Sequence, residues 1–165
     1  MADYNKIGLL VVDEGRILLC RKSHTTSLLI LPGGCLEEGE TPEECLAREV
    51  REELGEVSVN RLEYLGIYRD RAAADDPTVH KTLEIRLYRG EIFGSPVASS
   101  EIAELVWFGS RSDGRQLTPI LIHRILPDLI RRGILPWAEW PPRTSEPGPD
   151  DPSDPIGKST ENAPA

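Results

Sequence analysis

A glycine pair followed by a capped, strongly acidic helix constrains this chain more than any other feature. From Gly34 to Glu56 it reads Gly-Cys-Leu-Glu-Glu-Gly-Glu-Thr-Pro-Glu-Glu-Cys-Leu-Ala-Arg-Glu-Val-Arg-Glu-Glu-Leu-Gly-Glu. Thr41 can cap the first free amides, Glu44 can reach back to complete a capping box, and Pro42 suits the first helical turn. Gly55 closes the segment. The spacing therefore predicts a helix from Pro42 to Leu54. Residues three and four apart share a face, so Leu46, Ala47, Val50 and Leu54 form a stripe that must be covered by another layer of structure. On the other side Glu49, Glu52 and Glu53 project together.

Like charges at that spacing destabilise a bare helix by roughly 0.2–0.5 kcal/mol per pair, and crowding favours protonation of at least one of them. A cation offsets the cost. Hard divalent ions take oxygen ligands, so glutamates with no His or thiolate pair nearby favour Mg²⁺ or Mn²⁺ over Zn²⁺. A glutamate run is commonly just a solvated face, with Arg48 and Arg51 as salt-bridge partners. Here the Leu31-Pro32-Gly33-Gly34 turn, Glu40 and the Arg48-Glu49 pair are superimposed on it, and together they fix many positions at once.

The segment resembles the signature of the Nudix hydrolases: Gly, five residues, Glu, seven residues, Arg-Glu, an aliphatic, any residue, Glu-Glu, any residue, Gly and an aliphatic. Gly34, Glu40, Arg48, Glu49, Val50, Glu52, Glu53 and Gly55 match, and only Glu56 departs, with Val57 one step later. The resemblance implies an α/β fold, an α/β/α sandwich with a mixed β-sheet. It implies an enzyme that hydrolyses the pyrophosphate bond of a nucleoside diphosphate linked to a group X, with Mg²⁺ or Mn²⁺ as cofactor. By position, Glu49, Glu52 and Glu53 look like metal ligands, joined by the carbonyl of Gly33. Arg48 would orient the glutamates, with Gly34 and Glu40 in support. Glu101, six residues before Trp107, resembles the extra metal-site carboxylate of mutator-type members, which clear oxidised nucleotides.

Composition sets limits on partners. The chain has 165 residues and a formal net charge of −9, and residues 37–56 carry nine glutamates against Arg48 and Arg51. Stable binding to nucleic acid or an anionic membrane is not expected, because both need a basic footprint. Cys20, Cys35 and Cys45 have no Cys-x-x-Cys spacing and cannot all pair, which suits a reducing, cytoplasmic setting. From the polar start of the chain and the short apolar run of residues 7–12, neither a signal peptide nor a membrane span is expected. His24, His80 and His123 read as structural or exposed. Nudix proteins are often homodimers, but no interface stripe is identifiable.

Along the chain, residues 7–12 and 17–20 read as a hairpin around Asp13-Glu14-Gly15, and residues 28–31 as a short strand feeding a glycine loop. Strands are predicted over residues 57–68, 83–88 and 105–108. Thr118-Pro119 opens an apolar helix that Gly133 ends and Pro127 kinks or splits. One domain is expected over residues 1–140. From Pro141 onward seven of the fourteen prolines fall in 25 residues, so a disordered acidic tail is predicted over 141–165. Trp137 and Trp140, just before it, are expected in the core.

The signature does not read X. The Ser-Gln-Pro-Trp-Pro-Phe string of NADH-type members is absent, and no proline near position 71 or tyrosine near 73 marks an ADP-ribose or dinucleoside polyphosphate hydrolase. Short length and the 101–107 segment point to a nucleoside triphosphate or an oxidised nucleotide as substrate. ADP-ribose or another nucleotide sugar, dinucleoside polyphosphates and RNA 5′ ends are the alternatives, as is a non-catalytic nucleotide sensor.

Overall fold

The computed structural model describes residues 1–138 and 140; the tail expected from residue 141 lies outside them. Helix α1 (Pro42–Leu54) begins and ends where its caps require. The Glu44 amide donates to Thr41 Oγ1 at 3.2 Å and the Thr41 amide donates to the Glu44 carboxylate at 3.5 Å. Gly55, at φ +79°, terminates the helix. Its last carbonyls are met from afar: Val97 N–H donates to Leu54 O and Ser99 N–H to Glu53 O.

Among the described residues, eight strands form two sheets. Strands β1 (Tyr4–Leu10), β5 (Gly33–Cys35), β6 (Ser58–Arg71) and β7 (Thr82–Phe93) make a mixed sheet in the order β5-β1-β7-β6. In it β1 and β7 run parallel, and the other pairs are antiparallel. Strands β2 (Val12–Asp13), β3 (Arg16–Lys22), β4 (Leu29–Ile30) and β8 (Ile102–Phe108) form the second sheet, with β3 paired to all three partners antiparallel.

Alternation along the strands builds one core on each side. Ile7 and Leu9 of β1 and Leu18 and Cys20 of β3 pack with Leu46, Val50 and Leu54 of α1. Leu10, Ile17 and Leu19 pack the other way, against Ile120, Leu121, Ile125, Leu126 and Leu129. Each fully buried side chain of this kind contributes roughly 1.5–3 kcal/mol, so helices on both faces hold the strands between them. This is the α/β/α arrangement with a mixed sheet.

Four expectations need correction. The hairpin of residues 7–12 with 17–20 exists only at its closed end, where Val12 faces Ile17 and Asp13 faces Arg16 across Glu14 and Gly15, both at positive φ. Residues 4–10 run into the other sheet: the apolar run is buried on both faces, and both edges of β1 are taken, by β5 and β7. The glycine loop is itself a strand, β5, because Gly33 and Gly34 lie flat against β1. On α1, Ala47 is exposed, and Cys45 and Glu53 are buried beside Leu46, Val50 and Leu54. The strand expected over 83–88 continues to Phe93.

The C-terminal helix splits at Pro127. Leu121–Ile125 form a π-helical turn closed by Leu126 N–H on Leu121 O, followed by α2 (Leu126–Arg131). A regular helix would drive the Pro127 ring into the carbonyl of residue 123, and the wider turn relieves this. Gly133, at φ +72°, follows the end of α2. Trp137 is buried, with its indole N–H on Gly15 O at 2.7 Å, and Trp140 meets Phe108 edge-on.

Candidate functional site

Arg48 organises the acidic face of α1. Its Nε donates to Glu40 Oε1 at 2.8 Å and its Nη2 to Glu40 Oε2 at 2.9 Å, a two-pronged grip. Nη1 donates to Glu49 Oε1 at 2.9 Å and lies 3.6 Å from Glu52 and 3.7 Å from Glu37. Nη2 also reaches the Cys35 carbonyl at 3.1 Å. One guanidinium thus faces four carboxylates, and its hydrogen bonds hold the Glu40 carboxyl down at about 2. Glu40 also accepts from the Glu37 amide, which fixes the loop entering α1.

The two glycines let the helix approach the sheet. A Cβ on Gly34 would lie 2.2 Å from Glu49 Oε1, so the Glu49 carboxylate rests directly on that residue. A Cβ on Gly33 would lie 2.0 Å from the Ile7 carbonyl oxygen. With that close packing, Gly33 N–H donates to Glu53 Oε1 at 3.3 Å.

Glu53 is the unusual member. It is only 7% exposed, because it sits where the acidic face turns into the core-facing stripe. Its Oε2 is buried without a hydrogen-bond partner among the described residues. Burial first, and the charge of the neighbouring Glu49 carboxylate second, raise its carboxyl to about 8. Glu52 lies at the rim, about half exposed. No three His, Cys, Asp or Glu side chains among the described residues are gathered around one point. The donor set nevertheless suits a hard cation: hard oxygens, an excess of negative charge, and one buried oxygen lacking a partner.

The structure brings Gly33, Gly34, Glu40, Arg48, Glu49, Glu52 and Glu53 together. Glu101 stands apart in its contacts. Its side chain is 63% exposed and lies 3.9 Å from His24 Nε2, while its backbone carbonyl accepts from Ser23. The loop before it is tied to the backbone of Glu53 through Ser99.

Beside the carboxylates opens a cavity of about 570 Å³ that sequence reasoning missed. Leu31, Leu83, Ile85 and Ile120 give it apolar walls, Thr26 and Thr118 add hydroxyls, and Gly33 and Cys35 border the acidic cluster. Lys6 and Lys22 also line it. Burial, and after it the Lys22 charge, lowers the Lys6 pKa, while Cys35, Glu53 and Glu49 counter this. The missed residues come from four stretches of chain. The parallel register of β1 with β7 sets Lys6 opposite Ile85, and the Thr118 amide on Leu29 O brings in the last stretch.

A family model described as the NUDIX domain matches residues 5–111. An 8-oxo-dGTP diphosphatase from Proteus vulgaris is 42% identical over 66 residues, 40% of this chain and 54% of that protein. The NAD-capped RNA hydrolase NudC from Vibrio atlanticus is 42% identical over 57 residues, 34% of this chain and 21% of that protein. The match therefore spans about half the first relative's length and about a fifth of the second's. Among solved structures, a MutT NUDIX hydrolase from Burkholderia pseudomallei superposes with a TM-score of 0.59 at 26% identity, covering 70% of this chain and 90% of that one. A domain match over most of the described chain, together with a glycine-seated glutamate helix between two sheets, places the protein in the NUDIX family.

Proposed function

We propose that this protein is a divalent-metal-dependent pyrophosphohydrolase of nucleoside diphosphate derivatives, with a nucleoside triphosphate or its oxidised form as the favoured substrate. The observation that carries the reading is the buried, partnerless Glu53 oxygen beside Glu49 on a helix seated against Gly33 and Gly34. The 8-oxo-dGTP diphosphatase relative supports the substrate class. Glu49, Glu52, Glu53 and the Gly33 carbonyl would hold Mg²⁺ or Mn²⁺, and Glu101 is a further candidate from its loop. Such an ion supplies charge neutralisation at phosphate oxygens and acidifies a water for attack on phosphorus.

The chain's own residues prepare that chemistry. Arg48 fixes the rotamer of Glu49 and the position of Glu40. The strand β5 backbone holds Glu53 through the Gly33 amide. A carboxylate of this cluster takes the proton from the attacking water, and the crowded group titrates as a unit. The apolar cavity receives the nucleoside away from bulk water.

The test is phosphate release from a panel of nucleoside diphosphate derivatives with and without Mg²⁺, coupled to a pyrophosphatase for triphosphates or a phosphatase for products with a terminal phosphate. A metal-dependent signal names X. Silence across the panel, with the protein folded and binding nucleotide, replaces the enzyme with a sensor.

Two further outcomes are expected. Arg48→Lys keeps the charge and loses the two-pronged grip on Glu40, so turnover should fall about 10–100-fold with the melting temperature little changed. Unchanged steady-state kinetics would remove the orienting role.

The second concerns pH without metal. Glu53 stays protonated in the folded protein up to about 8, whereas the unfolded chain releases that proton in the ordinary carboxylate range. Between those limits the folded state binds the extra proton, so stability falls as pH rises. Melting temperatures in metal-free buffer should drop by about 5 °C or more from pH 5 to pH 8.5. Glu53→Gln should flatten the trend, and an equally steep trend in that variant would assign it elsewhere.

A further inference from the structure

Two lysines without an ion-pair or hydrogen-bond partner among the described residues line the cavity. Arg48 is saturated by Glu40, Glu49, Glu52 and Glu37 and has nothing left for a ligand. Lys81 pairs with Asp3. Lys6 and Lys22 make no ion pair or hydrogen bond among the described residues, although both are half-buried and both line the cavity. They are its only cationic side chains there. The one acid lining it, Asp76, is engaged by the amide and hydroxyl of Thr78.

Position makes Lys6 costly as a structural choice. It sits within strand β1, between Tyr4 and Gly8, which line the same cavity, and opposite Ile85 of β7. A methionine or leucine there would extend the apolar wall without desolvating a charge close to a second lysine. A half-buried cation that feels Glu53 and Glu49 but pairs with neither leaves its ammonium donors open to an anion from outside. Gly33 and Cys35, which meet Glu53 and Arg48 of the acidic helix, line the same cavity, so the lysines and the carboxylates border one space.

We infer that Lys6, with Lys22 beside it, is a specificity-determining residue that binds the phosphoryl group attached to the nucleoside, from the cavity side, and restricts the cavity to ligands carrying an anion next to an apolar body. This rests on the proposed nucleotide substrate and adds a contact independent of the metal. The lysines hold the nucleoside end of the phosphate chain while the glutamates face the part to be cleaved. A nucleoside 5′-monophosphate is then a ligand in its own right without metal, and its uncharged nucleoside a much weaker one.

The experiment is calorimetric titration of the full chain in metal-free buffer with the four common nucleoside 5′-monophosphates and the matching nucleosides, for wild type, Lys6→Met and Lys6→Arg. Lys6→Met should weaken monophosphate binding by about tenfold or more. Lys6→Arg should stay within about threefold, nucleoside affinity should not change, and the Lys6→Met melting temperature should equal or exceed that of wild type, as expected when an unpaired charge leaves an apolar wall. Equal losses for nucleotide and nucleoside, a lowered melting temperature, or unchanged monophosphate binding in Lys6→Met would each overturn the assignment, as would wild type that binds no monophosphate. Hydrolysis of the metal-loaded panel is read separately. Turnover with Lys6-independent binding sinks this inference alone, and Lys6-dependent binding without turnover sinks only the enzyme.

Discussion

Glu53→Gln should leave a folded protein with turnover reduced by at least about a hundredfold, since changes to groups that merely orient metal ligands already cost 10–100-fold. The substitution keeps the size of the side chain and leaves an amide oxygen able to accept from the Gly33 N–H now on Glu53 Oε1. It removes the negative charge that the carboxylate can carry at Oε2, a buried oxygen without a hydrogen-bond partner among the described residues. Burial of that charge beside Glu49 opposes folding when no cation is present. The variant should therefore melt at the same or a higher temperature in metal-free buffer and gain less than wild type when Mg²⁺ is added. Circular dichroism melts with and without Mg²⁺, set beside phosphate release, separate the two effects. Retained turnover would take Glu53 out of the site, and a collapsed fold would mean that the second carboxylate oxygen, which the amide nitrogen replaces, is what the fold requires.

The second large effect is expected at Gly33, where alanine should destabilise the protein by about 3–5 kcal/mol and lower the melting temperature by about 10 °C or more. Two independent costs combine. Gly33 has φ +135°, a region that side chains rarely adopt, and its new Cβ would stand 2.0 Å from the Ile7 carbonyl oxygen. That oxygen belongs to a strand paired on both edges, so it cannot move aside. Gly34→Ala is a useful contrast: there the clash at 2.2 Å is with the Glu49 carboxylate, a side chain. Its main cost should fall on turnover. Denaturant unfolding of both variants distinguishes these outcomes, and a Gly33→Ala protein as stable as wild type would show that β5 can shift away from β1.

The acidic helix was legible to the residue, because every signal that defines it is local: Thr41, Pro42, Glu44 and Gly55 act within one turn of its ends. The split at Pro127 followed for the same reason. Partners distant in sequence were not legible. Residues 7–12 carried no preference for the hairpin over the parallel pairing with β7, since both faces are buried and either sheet satisfies them. The burial of Glu53 in place of Ala47 depended on the angle at which α1 lies on the strands, which helical periodicity alone does not determine. Lys6 gave no signal at all, because a lysine near a chain start reads as solvated until β7 is laid beside it.

The C-terminal helical segment has a consequence for how this protein comes into being. All the carboxylates bound to Arg48, and both glycines beneath them, lie within the first 54 residues. The cavity needs Thr118, Ile120 and Leu121, anchored where Thr118 N–H meets Leu29 O. During synthesis the acidic helix is thus complete long before the pocket has its last wall. Grafting a different segment 118–131 would exchange one wall of the cavity and leave the carboxylates untouched.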